Sequence, residues 1–150
     1  MNAAITIGPM LAEDTRVIAQ LERALFVEDA WPTSVFRRDL RNLRRTYLVA
    51  KTDSAVIGYA ALWRYPKSAH VANMAIAPDF QGQGIGKALL GSLLAMADGE
   101  GIDPVDLAVR VTNHRAIRLY EGFGFVATDI LPGYYVDNAE DALIMVRRRP

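Results

Sequence analysis

Cysteine is absent from the 150 residues. That excludes disulfides, thiolate metal sites and any mechanism that holds an acyl group on a cysteine, so acyl transfer by this chain has to be direct. A charge excess is absent too: 17 basic and 17 acidic side chains give a formal net charge of zero. Proteins that bind nucleic acid or membrane surfaces usually carry a surplus of Lys and Arg, so neither partner is expected. No run of apolar residues approaches the roughly 18 needed for a membrane span, and the start MNAAITIGPM lacks the basic-then-apolar order of an export signal. A cytoplasmic protein is expected, with no metal. What remains is an ordinary balance of 51% hydrophobic and 23% charged residues, long enough for one domain over residues 1–150 with a real core.

The stretch that organises the rest runs from Ala72 to Leu94. It reads as a buried strand ending at Ile76, a break at Ala77-Pro78, a glycine-spaced loop from Gln81 to Gly86, and a helix carrying Leu89, Leu90, Leu93 and Leu94. Glycines let a backbone approach a ligand closely, and a helix that begins at their end offers unpaired N–H groups and a positive dipole end. Together these make an anion site, suited to a phosphate or pyrophosphate. Spacing decides which kind. The Walker loop needs a glycine where Gln81 stands and Ser or Thr where Ala88 stands, and a dinucleotide fingerprint from Gly82 needs glycine where Lys87 stands.

Around that unit the chain reads in order as follows. A strand over Ala4 to Ile7 precedes a helix from about Glu13 with Val17, Ile18, Leu21, Ala24 and Leu25 at helical spacing. After an aromatic-acidic break from Phe26 to Pro32, Thr33 or Ser34 caps a second helix reaching about Arg44. Tyr47 to Lys51 and Val56 to Trp63 form a hairpin, and His70 to Ile76 is the strand feeding the loop. The third helix spans about Gly84 to Asp98. Leu107 to Val111 is a strand, Asn113 to Glu121 a short helix, and two last strands end at about Ile130 and Val146. The run Arg147-Arg148-Arg149 reads as a solvated tail, and Asp137, Glu140, Asp141, Glu28 and Asp29 as acids able to draw in a cation.

The pattern Gln-x-x-Gly-x-Gly from Gln81 to Gly86 resembles the acyl-CoA pyrophosphate loop of the GNAT superfamily of N-acetyltransferases. A second stretch, from Leu107 to Phe125, is similar to the family's Asn-x-x-Ala-x-x-Leu-Tyr-x-x-x-Gly-Phe signature, and most similar to the RimI-like branch that acetylates ribosomal-protein N-termini. The resemblance covers essentially the whole chain. It implies a mixed α/β fold with a mostly antiparallel central sheet, flanking helices, and splayed fourth and fifth strands whose free backbone groups hold pantetheine. It also implies acetyl-CoA as co-substrate, bound by Met74, Ala75, Ile76, Gln81, Gly82, Gln83, Gly84, Ile85, Gly86, Lys87 and Asn113, with Tyr120 as general acid. Trp31 in the first interhelical connection, and the aromatic pair Tyr134 and Tyr135, then belong to the acceptor side. Asn113 also reads as a plain helix cap, Tyr120 as a core tyrosine, and Trp31 as a plug at the edge of the core.

One position departs from the branch. Its general base is a glutamate two residues before the strand's arginine, and here that residue is Ala108. His70, on the other splayed strand, is the best replacement, since an unperturbed histidine titrates near 6.5; Asp106 and Glu100 are weaker ones. A water relay is the alternative. At pH ~7.5 roughly a third of an α-amine is neutral, against on the order of 0.1% of a lysine, so a missing base favours the α-amine. The expected acceptor is therefore a protein or peptide N-terminus. A small-molecule amine such as a polyamine or drug, or a non-catalytic acyl-CoA-binding domain, remains open, as does the choice of monomer or homodimer.

Overall fold

A computed structural model describes residues 4–26 and 30–149. Seven strands form one sheet in the order β1-β2-β3-β4-β5-β7-β6. They are β1 (Thr6–Pro9), β2 (Arg45–Lys51), β3 (Val56–Tyr65), β4 (Ser68–Ile76), β5 (Val105–Arg110), β6 (Val126–Leu131) and β7 (Ala142–Arg147). Every neighbouring pair is antiparallel except β4 and β5. Four α-helices cover the two faces: α1 (Thr15–Leu25), α2 (Thr33–Asp39), α3 (Ile85–Gly99) and α4 (His114–Gly122). No helix among the described residues is long and apolar enough to cross a membrane.

Two cores follow from the alternation of the strands. Ala60, Leu62, Ala69, Val71, Leu107 and Val109 point to the face that receives Leu89, Leu90, Leu93 and Leu94 of α3 and Tyr120 of α4. Val49, Tyr59, Ala61 and Ala75 point to the other face, against Ile18, Ala19 and Phe36 of α1 and α2. Central β3 is consequently buried from Ile57 to Leu62 on both sides, which is why it reads as a continuous apolar run. Each fully buried leucine of α3 contributes about 1.5–3 kcal/mol, and together they fix the helix that leaves the glycine loop.

The sheet is incomplete in one place. β4 and β5 are paired only at Ala69↔Val105 and His70↔Asp106; beyond those rungs the strands separate. The expected splay is present. On its other side β4 stays paired with β3, with a register shift that places Ala61 opposite Asn73 but Leu62 opposite Val71. This bulge at Ala72 turns both Ala72 and Asn73 away from the α3 face.

Three expectations need correction. The second helix stops at Asp39 rather than near Arg44, and Pro32 occupies its N-cap without a side-chain bond from Thr33 or Ser34. Asn42 explains the early stop: its side-chain oxygen accepts the Arg44 N–H at 2.9 Å, a local turn that competes with the helix just before β2 begins. On α1 the buried positions are Thr15, Ile18, Ala19 and Glu22, whereas Val17 is exposed. Arg147 is not solvated tail but the end of β7, donating to both Asp98 carboxylate oxygens at 3.0 Å and to the Phe123 carbonyl at 3.1 Å.

Candidate active site

Two cavities open on either side of the β4–β5 gap. The first, of about 420 Å³, lies toward α1 and the β6–β7 connection; the second, of about 550 Å³, lies between the glycine loop and α4. Met74, Asn113 and Tyr120 line both, so the cavities adjoin at these side chains.

The second cavity is built by the strand, loop and helix of the glycine unit. After Ile76 a short 3-10 turn at Pro78–Phe80 reverses the chain, and the Gln81 side-chain amide donates back to the Ile76 carbonyl at 3.0 Å. Gly82 and Gly84 both adopt left-handed backbone, with φ of 80° and 82°. A Cβ at Gly82 would also lie 2.7 Å from a guanidinium nitrogen of Arg115. Gly84 is the N-cap of α3 and has no side chain to occupy the free N–H groups of the first turn, which stay open to the cavity's ligand. Met74, Ile76, Gln81, Gly82, Gly84, Ile85, Gly86, Lys87 and Asn113 line this space. Ala75 and Gln83 do not: the alanine methyl is buried on the α1 face, and the Gln83 amide is turned onto the Asp79 carbonyl at 3.2 Å. Arg115 and Arg118 join Lys87 there as cations the sequence reading passed over; the two arginines stand three residues apart on α4, with Leu119 four after Arg115, and that helical spacing was the available signal.

In the first cavity the pleat of β5 decides what is presented. Val105, Leu107 and Val109 enter the core, so Asp106, Ala108 and Arg110 face the opposite side. Across the last shared rung, His70 Nδ1 lies 2.5 Å from Asp106 Oδ1. Ala108 leaves space where the branch resembled above carries its glutamate. Trp31 reaches the same cavity while stacking on Trp63 with ring centres 5.4 Å apart, so it lines the pocket and closes the core edge at once. Tyr134 and Tyr135 line the same cavity.

The acids expected to attract a cation are already engaged. Arg110 donates to Asp137 at 3.0 and 3.1 Å and to Glu140 at 3.3 Å, and its guanidinium lies 4.0 Å from the centre of the Tyr135 ring. Asp141 accepts from the Gly133 N–H, and Glu28 and Asp29 lie outside the described residues. Glu100, one of the weaker base candidates, is bound to Arg64 at 2.6 Å, which holds its carboxyl below the usual range.

Asn113 caps α4, its side-chain oxygen accepting the Ala116 N–H at 3.2 Å, which sets the helix that carries Tyr120. Tyr120 packs edge-on against Phe125 at 5.9 Å, and burial, with a smaller contribution from Tyr135, pushes its phenol up to about 12. A further carboxyl sits behind the first cavity. Glu22 of α1 is fully buried, accepts hydrogen bonds from the Tyr59 hydroxyl and, at 2.5 Å, from the amide of the lining residue Asn73. Burial raises its pKa to about 7, partly opposed by the Trp31 backbone N–H. Its place on the stripe Thr15, Ile18, Ala19, Glu22 was the signal that sequence reading missed.

Among the described residues no cluster of three metal-binding side chains occurs. The profile described as the acetyltransferase (GNAT) family matches residues 15–125. The N-alpha-acetyltransferase RimI of Mycobacterium tuberculosis is 36% identical over 95% of this chain and 92% of its own. An uncharacterized protein of Mycobacterium leprae is also 36% identical over 97% of this chain, which spans 41% of that protein's length. The crystal structure of the ribosomal-protein-S18-alanine N-acetyltransferase from Escherichia coli superposes with a TM-score of 0.86 at 28% identity, covering 97% of this chain and 94% of that one. With the glycine unit, the parted strands and these matches agreeing, the chain belongs to the acetyltransferase (GNAT) family.

Proposed function

We propose that the protein transfers an acetyl group from acetyl-CoA to the N-terminal α-amine of a protein or peptide. The observation that carries this reading is the meeting of two cavities at Tyr120, with an anion-binding helix start on one side and an aromatic-lined, non-acidic pocket on the other. RimI of M. tuberculosis, similar over nearly the full length of both chains, is named as an N-alpha-acetyltransferase, which supports the same acceptor.

The residues divide the work as follows. The open N–H groups at Gly84 to Lys87, with Lys87, Arg115 and Arg118 nearby, receive the pyrophosphate. The unpaired edges of β4 and β5 receive pantetheine as a strand-like filler, satisfying backbone groups that the sheet leaves free. The backbone of Met74 to Ile76, on the parted edge of β4, polarises the thioester carbonyl. The neutral amine attacks the carbonyl carbon, the C–S bond breaks, and Tyr120 gives its proton to the leaving thiolate while His70 accepts the proton shed by the amine.

Gly84→Val is expected to weaken acetyl-CoA binding by at least about tenfold, because valine is strained at positive φ and its branch reaches toward the free N–H groups. Calorimetric titration with acetyl-CoA checks this; unchanged affinity removes the pyrophosphate from the loop. The acceptor is tested by CoA release with two peptides, one with a free N-terminus and no lysine, the other with a blocked N-terminus and one lysine. Release with the first alone is expected. Release with the second alone, or with neither, overturns the N-terminal reading.

A further inference from the structure

The proposed chemistry leaves the amine's proton to a histidine that a branch with a glutamate at position 108 would not need. A lone histidine is a poor solution, because a neutral imidazole carries its proton on either ring nitrogen and rotates freely at a strand edge. This histidine is not alone. It faces Asp106 across the only parallel pair in the sheet, at the final rung before β4 and β5 part, with Nδ1 2.5 Å from a carboxylate oxygen. Among the described residues the Asp106 carboxylate has no other hydrogen-bond or ion-pair partner. On its other flank His70 meets the Trp63 ring, with centres 6.2 Å apart; that ring carries the Arg45 guanidinium 3.6 Å from its centre and offers no carboxylate.

We infer that Asp106 is a positioning residue, holding His70 as the Nδ1–H tautomer with Nε2 left as the proton acceptor for the acceptor amine. This rests on the acetyl-transfer reading above. A carboxylate only accepts, so the proton between the two groups belongs on Nδ1 of a neutral ring, and the second nitrogen keeps its lone pair. When the amine nitrogen bonds to the acetyl carbon and the C–S bond breaks, the amine's proton passes to Nε2. The imidazolium so formed sits against the Asp106 charge, and the thiolate takes the proton of Tyr120. Solvent then carries the proton from His70 back to the tyrosine, so the cycle ends in acetylated amine, free thiol and both side chains restored.

The position on the ladder explains why the pair can replace a glutamate. Asp106 and Ala108 are successive outward positions on one face of β5, so removing the carboxylate from the second leaves the first as the nearest acid on that strand. Its partner on β4, His70, lines the first cavity.

Two measurements on the full-length protein test the pair. The sequence holds two histidines, so long-range nitrogen–proton NMR resolves each ring. At about pH 8 wild type is expected to show one ring protonated on Nδ1, a form rare for free histidine, and Asp106→Asn to return it to the Nε2–H form. A wild-type spectrum with both rings protonated on Nε2 overturns the assignment, whatever the activity. The second measurement is CoA release with the lysine-free peptide. Asp106→Asn is expected to lower kcat at least about tenfold with KM for peptide and acetyl-CoA within about twofold, and the double variant with His70→Gln to be no slower than His70→Gln alone. Independent, multiplying losses, or a wild-type kcat in Asp106→Asn, reject the positioning role. Absence of CoA release in wild type with the Nδ1–H ring present rejects the acetyl-transfer reading and leaves the geometry of the pair standing.

Discussion

Tyr120→Phe is expected to lower kcat by about 10²–10⁴-fold, the range that a positioned proton donor contributes. The phenyl ring keeps the edge-on contact with Phe125 and the burial against α3, so the fold loses only a hydroxyl. Acetyl-CoA affinity is expected to stay within about threefold, since the anion-binding N–H groups belong to another helix. Burial raises this phenol to about 12, so the group is protonated throughout the neutral range and contributes no alkaline fall in rate there. Steady-state CoA release and calorimetry on the same samples give the two numbers. Equal turnover in the two proteins would transfer the donor role to solvent, and a matching loss in affinity would mean that the hydroxyl serves binding instead.

Glu22→Gln is expected to change how stability depends on pH more than stability itself. The carboxyl titrates at about 7 in the fold against an ordinary 4.5, so the folded chain holds this proton more tightly than the unfolded chain does. A group shifted in that sense adds stability that is whole below the unfolded value and is lost as pH rises through the folded one. The shift corresponds to about 3 kcal/mol, lost between about pH 4.5 and just above 7. Glutamine presents the same acceptor oxygen to Tyr59 and Asn73 and ionises at no pH. Relative to wild type the variant is therefore expected to gain stability steadily across that window and to hold the gain above it. Urea unfolding at about pH 4, 6 and 8 reads the effect. A difference that does not vary with pH would show that the carboxyl holds its proton equally tightly in the folded and the unfolded chain.

What could be read from the sequence was the chemistry that is local to one segment. The glycine loop and the helix after it lie within Gln81 to Leu94, where backbone freedom, a helix start and leucine periodicity are all written in adjacent residues. Asn113 declared itself as a cap for the same reason, and the succession of strands and helices along the chain followed the run of periodic segments. Contacts between distant segments were not legible. Glu22 looks like helix surface until Tyr59, 37 residues on, and Asn73, 51 residues on, close around it. Nothing in the chain says that Asp106 stands opposite His70, 36 residues earlier; that depends on the register of a parallel pair. Asp137 and Glu140 resembled free acids because Arg110, the side chain that consumes them, lies on another element. The Asn42 turn, by contrast, is local, closed by a side chain two residues from the N–H it accepts.

The two rungs that join β4 to β5 have a mechanical meaning as well. Strands β1 to β4 form one plate and β5, β7 and β6 a second, and within the sheet they are seamed only at Ala69–Val105 and His70–Asp106. Past this seam the two plates part, bridged on one face by the leucines of α3. A molecule that spans the wedge would therefore act as a cross-brace between two plates that the sheet itself joins at one end only.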